Sequence, residues 1–293
     1  MKLKILVIGH SIVDRFEGAE NEPPKPGGVY YSALGLLSVA KPSDEIYLLT
    51  SWNEKSFQIF ERVYSRVNLS FATRVESLPE VILKTSGAGE REEEYKNLSS
   101  QLDINHVNDW NIFDGFLINM ITGFDISLEQ LQTIRKKFHG LIYFDVHTLA
   151  RGISTNMKRE FRPIPEASLW LKNIDVVQVN ENEIKTLDQS ANEMECAANI
   201  CGMGPKLLIV TKGSAGAKVY FKDGIDVESI FSKSEHVNTV NKVGCGDIFG
   251  AVFFYSYIST RDIVLSLKRA NNAGTVAASI SNLTELSKID IHD

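Results

Sequence analysis

Six short runs of the chain are apolar almost without a break: LKILVI (3–8), EIYLLT (45–50), DGFLIN (114–119), LIYFDV (141–146), DVVQV (175–179) and KLLIVT (206–211). A strand with one wet face alternates apolar and polar residues. Runs that do not alternate predict strands covered on both faces. Between them, 28–40, 53–66, 127–138, 181–187 and 191–200 carry helical patterning. Strand-then-helix repetition predicts parallel strands joined by crossovers, an α/β layered fold. The stretch 127–138 opens on Ser127 with Gln130 three residues on, which predicts a capping box.

Two segments break this rhythm. Residues 16–27 (FEGAENEPPKPG) are rich in Pro, Gly and Glu and read as a loop or an exposed edge. Residues 80–105 contain two β-like runs around Gly87 and Gly89, which predicts a hairpin projecting from the main sheet. Such a hairpin serves either as a lid that excludes water or as surface decoration, and the pattern gives both equal weight. The acidic run Glu92–Glu93–Glu94 argues against burying that portion.

Composition narrows the class. The chain is 43% hydrophobic and 23% charged over 293 residues, a globular balance that excludes disordered and collagen-like readings. A net charge of −6 is a poor match for binding a phosphate backbone, so no nucleic-acid partner is expected. The longest apolar run, 248–258, is too short to span a bilayer, so no membrane partner is expected. MKLKILVIGHSIVD lacks a small-residue cleavage site and reads as a first strand rather than a signal peptide. Cys196, Cys201 and Cys245 form no CxxC, and the six histidines form no HExxH. A cytoplasmic location is the default expectation.

The segment richest in chemistry is NKVGCGDIFGAVFFYSY (241–257). Gly244 and Gly246 bracket Cys245, and Asp247 then opens an apolar stretch long enough for a buried helix. Glycines let backbone N–H groups approach an anion closely, and a helix N-terminus adds unpaired donors and partial positive charge. Together they make an anion hole with a carboxylate at its lip, able to accept a hydroxyl proton during phosphoryl transfer. On this segment alone, Asp247 as an ordinary helix cap has similar weight. There is no GxxxxGK[ST], and the first strand is not followed by GxGxxG, which disfavours a Walker-type NTPase and a dinucleotide dehydrogenase.

Other pieces are individually weak. TKGSAGA (211–217) suits a backbone passing close to a nucleotide, although a plain hairpin turn explains it better. Asn180 and Glu183 read as a capping pair, or Glu183 orders a water-coordinated Mg²⁺. Asp14 lies just past the first strand, where α/β sheets bind ligands. Gly27 and Gly28 precede an amphipathic helical pattern and leave room for a polyol.

Taken in order, the pieces resemble the PfkB-type carbohydrate kinases, the ribokinase-like family. GHSIVD (9–14), PGGVYYSAL (26–34), VNENE (179–183), TKGSAGA (211–217), VGCGDIFGAVF (243–253) and RANNAGTVAAS (269–279) carry the resemblance over nearly the whole chain. It implies a single domain: a three-layer ribokinase-like α/β fold, a central mostly parallel sheet flanked by helices, with a small β lid near 14–27 and 80–105. It further implies transfer of the ATP γ-phosphoryl group to a hydroxyl, usually of a sugar or nucleoside. Asp247 would be the base, with Gly244, Cys245 and Gly246 as the anion hole. Asp14, Gly27 and Gly28 would hold the acceptor. Asn180, Thr211, Gly213, Gly216 and Asn271 would line the nucleotide site, and Glu183 would serve Mg²⁺ through water.

The departures from the family pattern bear on the detail. Asn241 stands where the signature usually has Asp, a position linked in some members to monovalent-cation binding, so that activation stays open. Lys242 replaces Thr or Pro, and Cys245 replaces Ala. Ser32 or Ala33 lies where many members carry a sugar-touching Asn, beside Tyr30 and Tyr31. The leading expectation is therefore an ATP-dependent kinase of a small sugar or polyol. A nucleoside kinase on the same scaffold and a non-catalytic nucleotide- or sugar-binding relative are the rivals. Family lids that pair between subunits make a homodimer through the lid compatible with the resemblance.

Overall fold

Each of the six apolar runs forms a strand of one eight-stranded sheet: β1 (Lys4–Ile8), β4 (Glu45–Leu49), β9 (Gly115–Asn119), β10 (Leu141–Asp145), β13 (Val176–Asn180) and β14 (Leu207–Thr211). A final hairpin, β15 (Gly216–Asp223) with β16 (Asp226–Lys233), completes it. The strand order is β16-β15-β14-β13-β10-β9-β1-β4, parallel except for the last two strands in the chain. The computed structural model describes residues 2–18, 22–84, 92–240, 242–281 and 286.

The unbroken apolar character of the runs follows from two cores. Alternate strand residues face opposite sides. Ile5 and Val7 enter one core, which also takes in α1 (Val29–Val39), α7 (Cys245–Thr260) and α8 (Ile263–Ser279). Leu6 and Ile8 enter the other, with α3 (Leu128–Lys137), α4 (Ala167–Leu171) and α6 (Glu193–Met203). The remaining helices are α2 (Phe57–Tyr64) and α5 (Ile184–Leu187). The Ser127–Gln130 capping box forms on α3 as predicted.

Helix α1 departs from the sequence reading. It is not amphipathic: ten of its eleven residues are buried. The cause is α7 packed against its far side, where a Cβ at Gly35 would stand 2.9 Å from Ala251 Cβ. Two helices can pack that closely only over a residue without a side chain.

A second, four-stranded sheet stands beside the first, in the order β3-β2-β7-β8. Its strands are β2 (Ser11–Phe16), β3 (Lys25–Gly28), β7 (Glu80–Lys84) and β8 (Glu92–Asn97). Both segments that broke the sequence rhythm thus contribute strands to it. Gly87 and Gly89, at the turn of the predicted hairpin, lie outside the described residues, as does Asn241. A short pair, β5 (Ser51–Trp52) with β6 (Thr73–Arg74), flanks α2. A further hairpin that no local pattern announced, β11 (Arg151–Ile153) with β12 (Arg159–Phe161), meets β8 through a Glu94–Lys158 bridge. Among the described residues, no helix is long and apolar enough to cross a membrane.

Candidate active site

Parallel strands put all their C-terminal ends on one edge of a sheet, and α/β proteins bind ligands there. Here β1 runs out into Asp14 on β2, β9 ends on Asn119, β10 on Asp145, β13 on Asn180 and β14 on Thr211. The N-terminus of α7 brings Gly244, Cys245, Gly246 and Asp247 to the same edge.

Asp247 lies inside the first turn of α7, and the cap position belongs to Gly244. Its Oδ1 accepts a hydrogen bond from Asn119 Nδ2 at 2.5 Å, and the same amide nitrogen reaches Ser32 Oγ at 3.1 Å. Asp14, Gly28, Gly244 and Asp247 line one cleft. Glycine is required at three points around it. The Asp14 carboxylate fills the space a Cβ at Gly27 would take, and the His10 carbonyl does the same at Gly28, whose φ is 69°. Gly244, at φ 77°, has the Tyr31 ring where a Cβ would stand, 2.5 Å away. Gly246 faces open space. Burial, and then the charge of Asp247, push the Cys245 thiol up to about 11. It stays protonated at neutral pH, so thiolate chemistry does not compete with the carboxylate.

Beside the cleft is a cluster of carboxylates that the sequence reading missed in part. Asp145 is held well above the usual carboxylate range, first by burial and then by the charges of Glu183 and Asp247. Gln178 Nε2 donates to Asp145 Oδ2 at 3.0 Å and to the Gly246 carbonyl at 3.2 Å, tying the cluster to the glycine loop. Like charges converging in a buried place fit a divalent cation, which would relieve their repulsion. No three acidic, His or Cys side chains among the described residues converge at direct-ligand spacing. The fit is therefore to an ion that keeps its waters, as Mg²⁺ does.

Glu183 makes the reciprocal bonds of the expected capping pair with Asn180. Its Oε2 accepts from the Asn180 backbone N–H at 2.8 Å, while Asn180 Oδ1 accepts from the Glu183 N–H at 2.8 Å. Asn180 pairs in register with Thr211 across β13 and β14. The 211–217 segment is indeed a hairpin turn, with Gly213 at φ 54° and Gly216 at φ 121°. Asn271 on α8 borders it, donating to the Ser232 carbonyl at 2.6 Å on the strand beside Gly216. Lys212 in the same turn is held by Glu193 at 2.5 Å and Glu181 at 3.2 Å. The predicted residues therefore fall into two groups, one around the cleft and one at the β13–β15 end, with Glu183 and Asp145 between them.

One expectation is overturned. The acidic run was expected to resist burial, yet Glu93 is 7% exposed. Strand alternation explains it: Glu92 and Glu94 face outward, and Glu93 turns inward onto two arginines. Arg159 Nη1 donates to its Oε2 at 2.6 Å and Arg151 Nη1 lies at 3.8 Å. Glu93, Arg159 and His147 all line the cleft. Asn119 and Asp145 had a readable signal, a polar residue closing an apolar strand at its C-terminal end. Glu93 and Arg159 had none, because 66 residues separate them.

Similarity to known proteins agrees with this geometry. Residues 144–289 match the family model described as pfkB family carbohydrate kinase. A fructokinase of Rhizobium leguminosarum bv. trifolii is 32% identical over 77 residues, 26% of this chain. The match spans only 22% of that relative's length. Among solved structures, a pyrophosphate-dependent kinase in the ribokinase family, complexed with a pyrophosphate analog and myo-inositol, superposes with a TM-score of 0.77 at 18% identity, covering 97% of this chain and 100% of that one. Arabidopsis thaliana ribokinase, complexed with ribose and ATP, gives 0.75 at 17% identity, covering 98% and 96%. At such identities the structural likeness establishes the ribokinase-like fold.

Proposed function

This chain belongs to the pfkB family of carbohydrate kinases, and on that premise we propose that it transfers the terminal phosphoryl group of ATP to a hydroxyl of a sugar or related polyol. The observation that supports this best is the placement of Asp247. Its carboxylate lines the same cleft as Asp14 and Gly28, in the first turn of a helix whose glycine-capped N-terminus suits an anion.

In this reading the acceptor rests against Asp14 and the side-chain-free Gly27–Gly28 backbone. Asp247 takes the proton of the acceptor hydroxyl as its oxygen attacks the γ-phosphorus. The new O–P bond forms while the bond from the γ-phosphorus to the β–γ bridging oxygen breaks, and ADP leaves. The N–H groups at the start of α7, around Gly244, Cys245 and Gly246, stabilise the transferring group. Bound Mg²⁺ would offset the negative charge of the phosphates. Asp145 and Glu183 would hold it through water, and Asn180, Thr211, Gly213, Gly216 and Asn271 would line the nucleotide side. The four-stranded sheet would close over the acceptor as a lid.

The test is acceptor-dependent ADP release with a panel of sugars, inositols and nucleosides. Turnover with nucleosides alone would move the acceptor class. Turnover with pyrophosphate but not ATP would move the donor. Ligand-dependent melting with no turnover on any pair would leave only a binding protein.

A further inference from the structure

Resting on the kinase reading, we infer that the buried Glu93–Arg159 pair sets acceptor specificity, selecting uncharged polyols over sugar acids and sugar phosphates. The ionic groups lining the cleft among the described residues are the carboxylates of Asp14, Glu93 and Asp247 and the guanidinium of Arg159. His147, at a left-handed φ of 37°, and Tyr31 are the remaining titratable side chains there.

Arg159 does not act as an open anion receptor. Its side chain is 2% exposed and enclosed on several sides. Nη1 donates to Glu93 at 2.6 Å and to Thr148 Oγ1 at 2.5 Å, Nη2 donates to the Ile121 carbonyl at 3.1 Å, and the Tyr95 ring centroid lies 4.2 Å from its Cζ. A second guanidinium, Arg151, also approaches Glu93, at 3.8 Å. The wall there is therefore a carboxylate held beside a guanidinium already engaged by the protein, a pattern that suits hydroxyls and leaves no unmatched cation for an anionic acceptor. An acceptor carrying its own negative charge would meet three carboxylates and a cation already matched by one of them. A unit charge added or removed about six to ten ångströms away at an effective dielectric of about 20 changes an equilibrium constant by about ten- to a hundredfold. The pair also joins a strand of the second sheet to the β12 hairpin, so the selecting groups arrive only when both elements are in place.

The experiment uses the full chain. kcat/KM and calorimetric Kd are measured for D-fructose, D-ribose and myo-inositol against fructose 6-phosphate, ribose 5-phosphate and gluconate. The best neutral acceptor should exceed every anionic one at least tenfold, and a preference for an anionic acceptor, or binding of neither class, overturns the inference. Glu93→Gln leaves Arg159 uncompensated and should raise the anionic-to-neutral ratio at least tenfold; an unchanged ratio in the folded variant overturns it. Should that variant fail to fold, the charge-free double variant Glu93→Gln/Arg159→Gln keeps the test. It should lose at least tenfold in neutral-acceptor affinity with no gain for anions, and unchanged affinity overturns the inference. Binding that shifts as expected without transfer would refute the kinase reading and support this one. Transfer with unaltered selectivity in the variants would do the reverse.

Discussion

Asn119 Nδ2 stands 2.5 Å from Asp247 Oδ1, joining the end of β9 to the first turn of α7 across 128 residues of sequence. A hydrogen bond to one carboxylate oxygen fixes the orientation of the group and leaves the other oxygen for an acceptor hydroxyl. Bonds to charged partners are worth about 1.5–3 kcal/mol. Asn119→Ala should therefore lower kcat by roughly ten- to a hundredfold while the acceptor KM changes little. Asn119→Asp keeps the shape but replaces the donor with a like charge, and should cost more. Steady-state kinetics on both variants decide it; a loss confined to KM would place Asn119 in acceptor binding instead.

Asp247 itself carries the chemistry in this scheme. Asp247→Asn should depress kcat by roughly 10²–10⁴. ATP affinity should hold, because the donors that meet the phosphate are backbone groups. The residue is not the cap of α7, so little stability should be lost with it. Near-normal turnover in a well-folded variant would remove the base role.

Asp145 gives a pH-dependent prediction. Burial and the neighbouring charges of Glu183 and Asp247 raise its folded value above the unfolded one. For a raised carboxyl, the stabilising contribution is present below the unfolded value and is lost as pH rises through the folded value. As pH rises the metal-free folded protein is thus penalised relative to the unfolded chain, whose Asp145 ionises freely, and Asp145→Asn should raise its melting temperature. Added Mg²⁺ should stabilise the parent protein more than this variant. Thermal melts between pH 5 and 8, with and without Mg²⁺, test both parts; an equal Mg²⁺ response in parent and variant would take Asp145 out of the metal site. Glu183→Gln should in turn raise the Mg²⁺ needed for activity while the reciprocal bonds with Asn180 survive, since Gln serves at N3 as well.

What could be read in the sequence, and what could not, divides along contact range. Six of the eight strands of the main sheet came from local apolar runs, and the capping box of α3 from four residues. Gly244 was flagged for an anion hole, but its second reason, the Tyr31 ring, spans more than two hundred positions and leaves no local mark. Helix α1 misled because its few polar residues, Ser32 and Ser38 among them, are buried all the same. Ser38 bonds back to the Gly35 carbonyl and Ser32 meets Asn119. The Glu92–Glu94 run misled because charge was weighed without strand alternation. Alternation sends every second residue inward, and the arginine that receives Glu93 comes from a hairpin too short to show a β pattern.

Gly244→Ala should fail for the reason the sequence could not show. A left-handed φ of 77° costs a non-glycine residue about 1–2 kcal/mol, and the new methyl would also strike the Tyr31 ring. Unfolding in urea should show that loss or more. Tyr31→Ala in the same background should recover the part due to the collision. If the double variant recovers none, backbone strain alone accounts for the loss.

The last prediction concerns closure by the second sheet. Val81 and Leu83 on β7 and Tyr95 on β8 are each buried to 2% exposure or less, and Val81 and Leu83 line the cleft. A hairpin alone is marginal in water. This one is supported by parallel pairing with β2, which carries Asp14, and by the Tyr95 N–H to Met157 carbonyl bond at 3.1 Å. Closing such a sheet over the acceptor would exclude the water that competes for phosphate. Leu83→Ala keeps the pairing but removes part of the apolar contact, a change that costs about 2–5 kcal/mol in a core and should be spent here on looser closure. Acceptor KM should rise and ATP hydrolysis without transfer should increase, while ATP affinity stays near normal because the nucleotide-side residues lie on other elements. Product analysis that separates phosphorylated acceptor from free phosphate makes the measurement. An unchanged transfer-to-hydrolysis ratio with an unchanged acceptor KM would reduce the sheet to a fixed wall of the site.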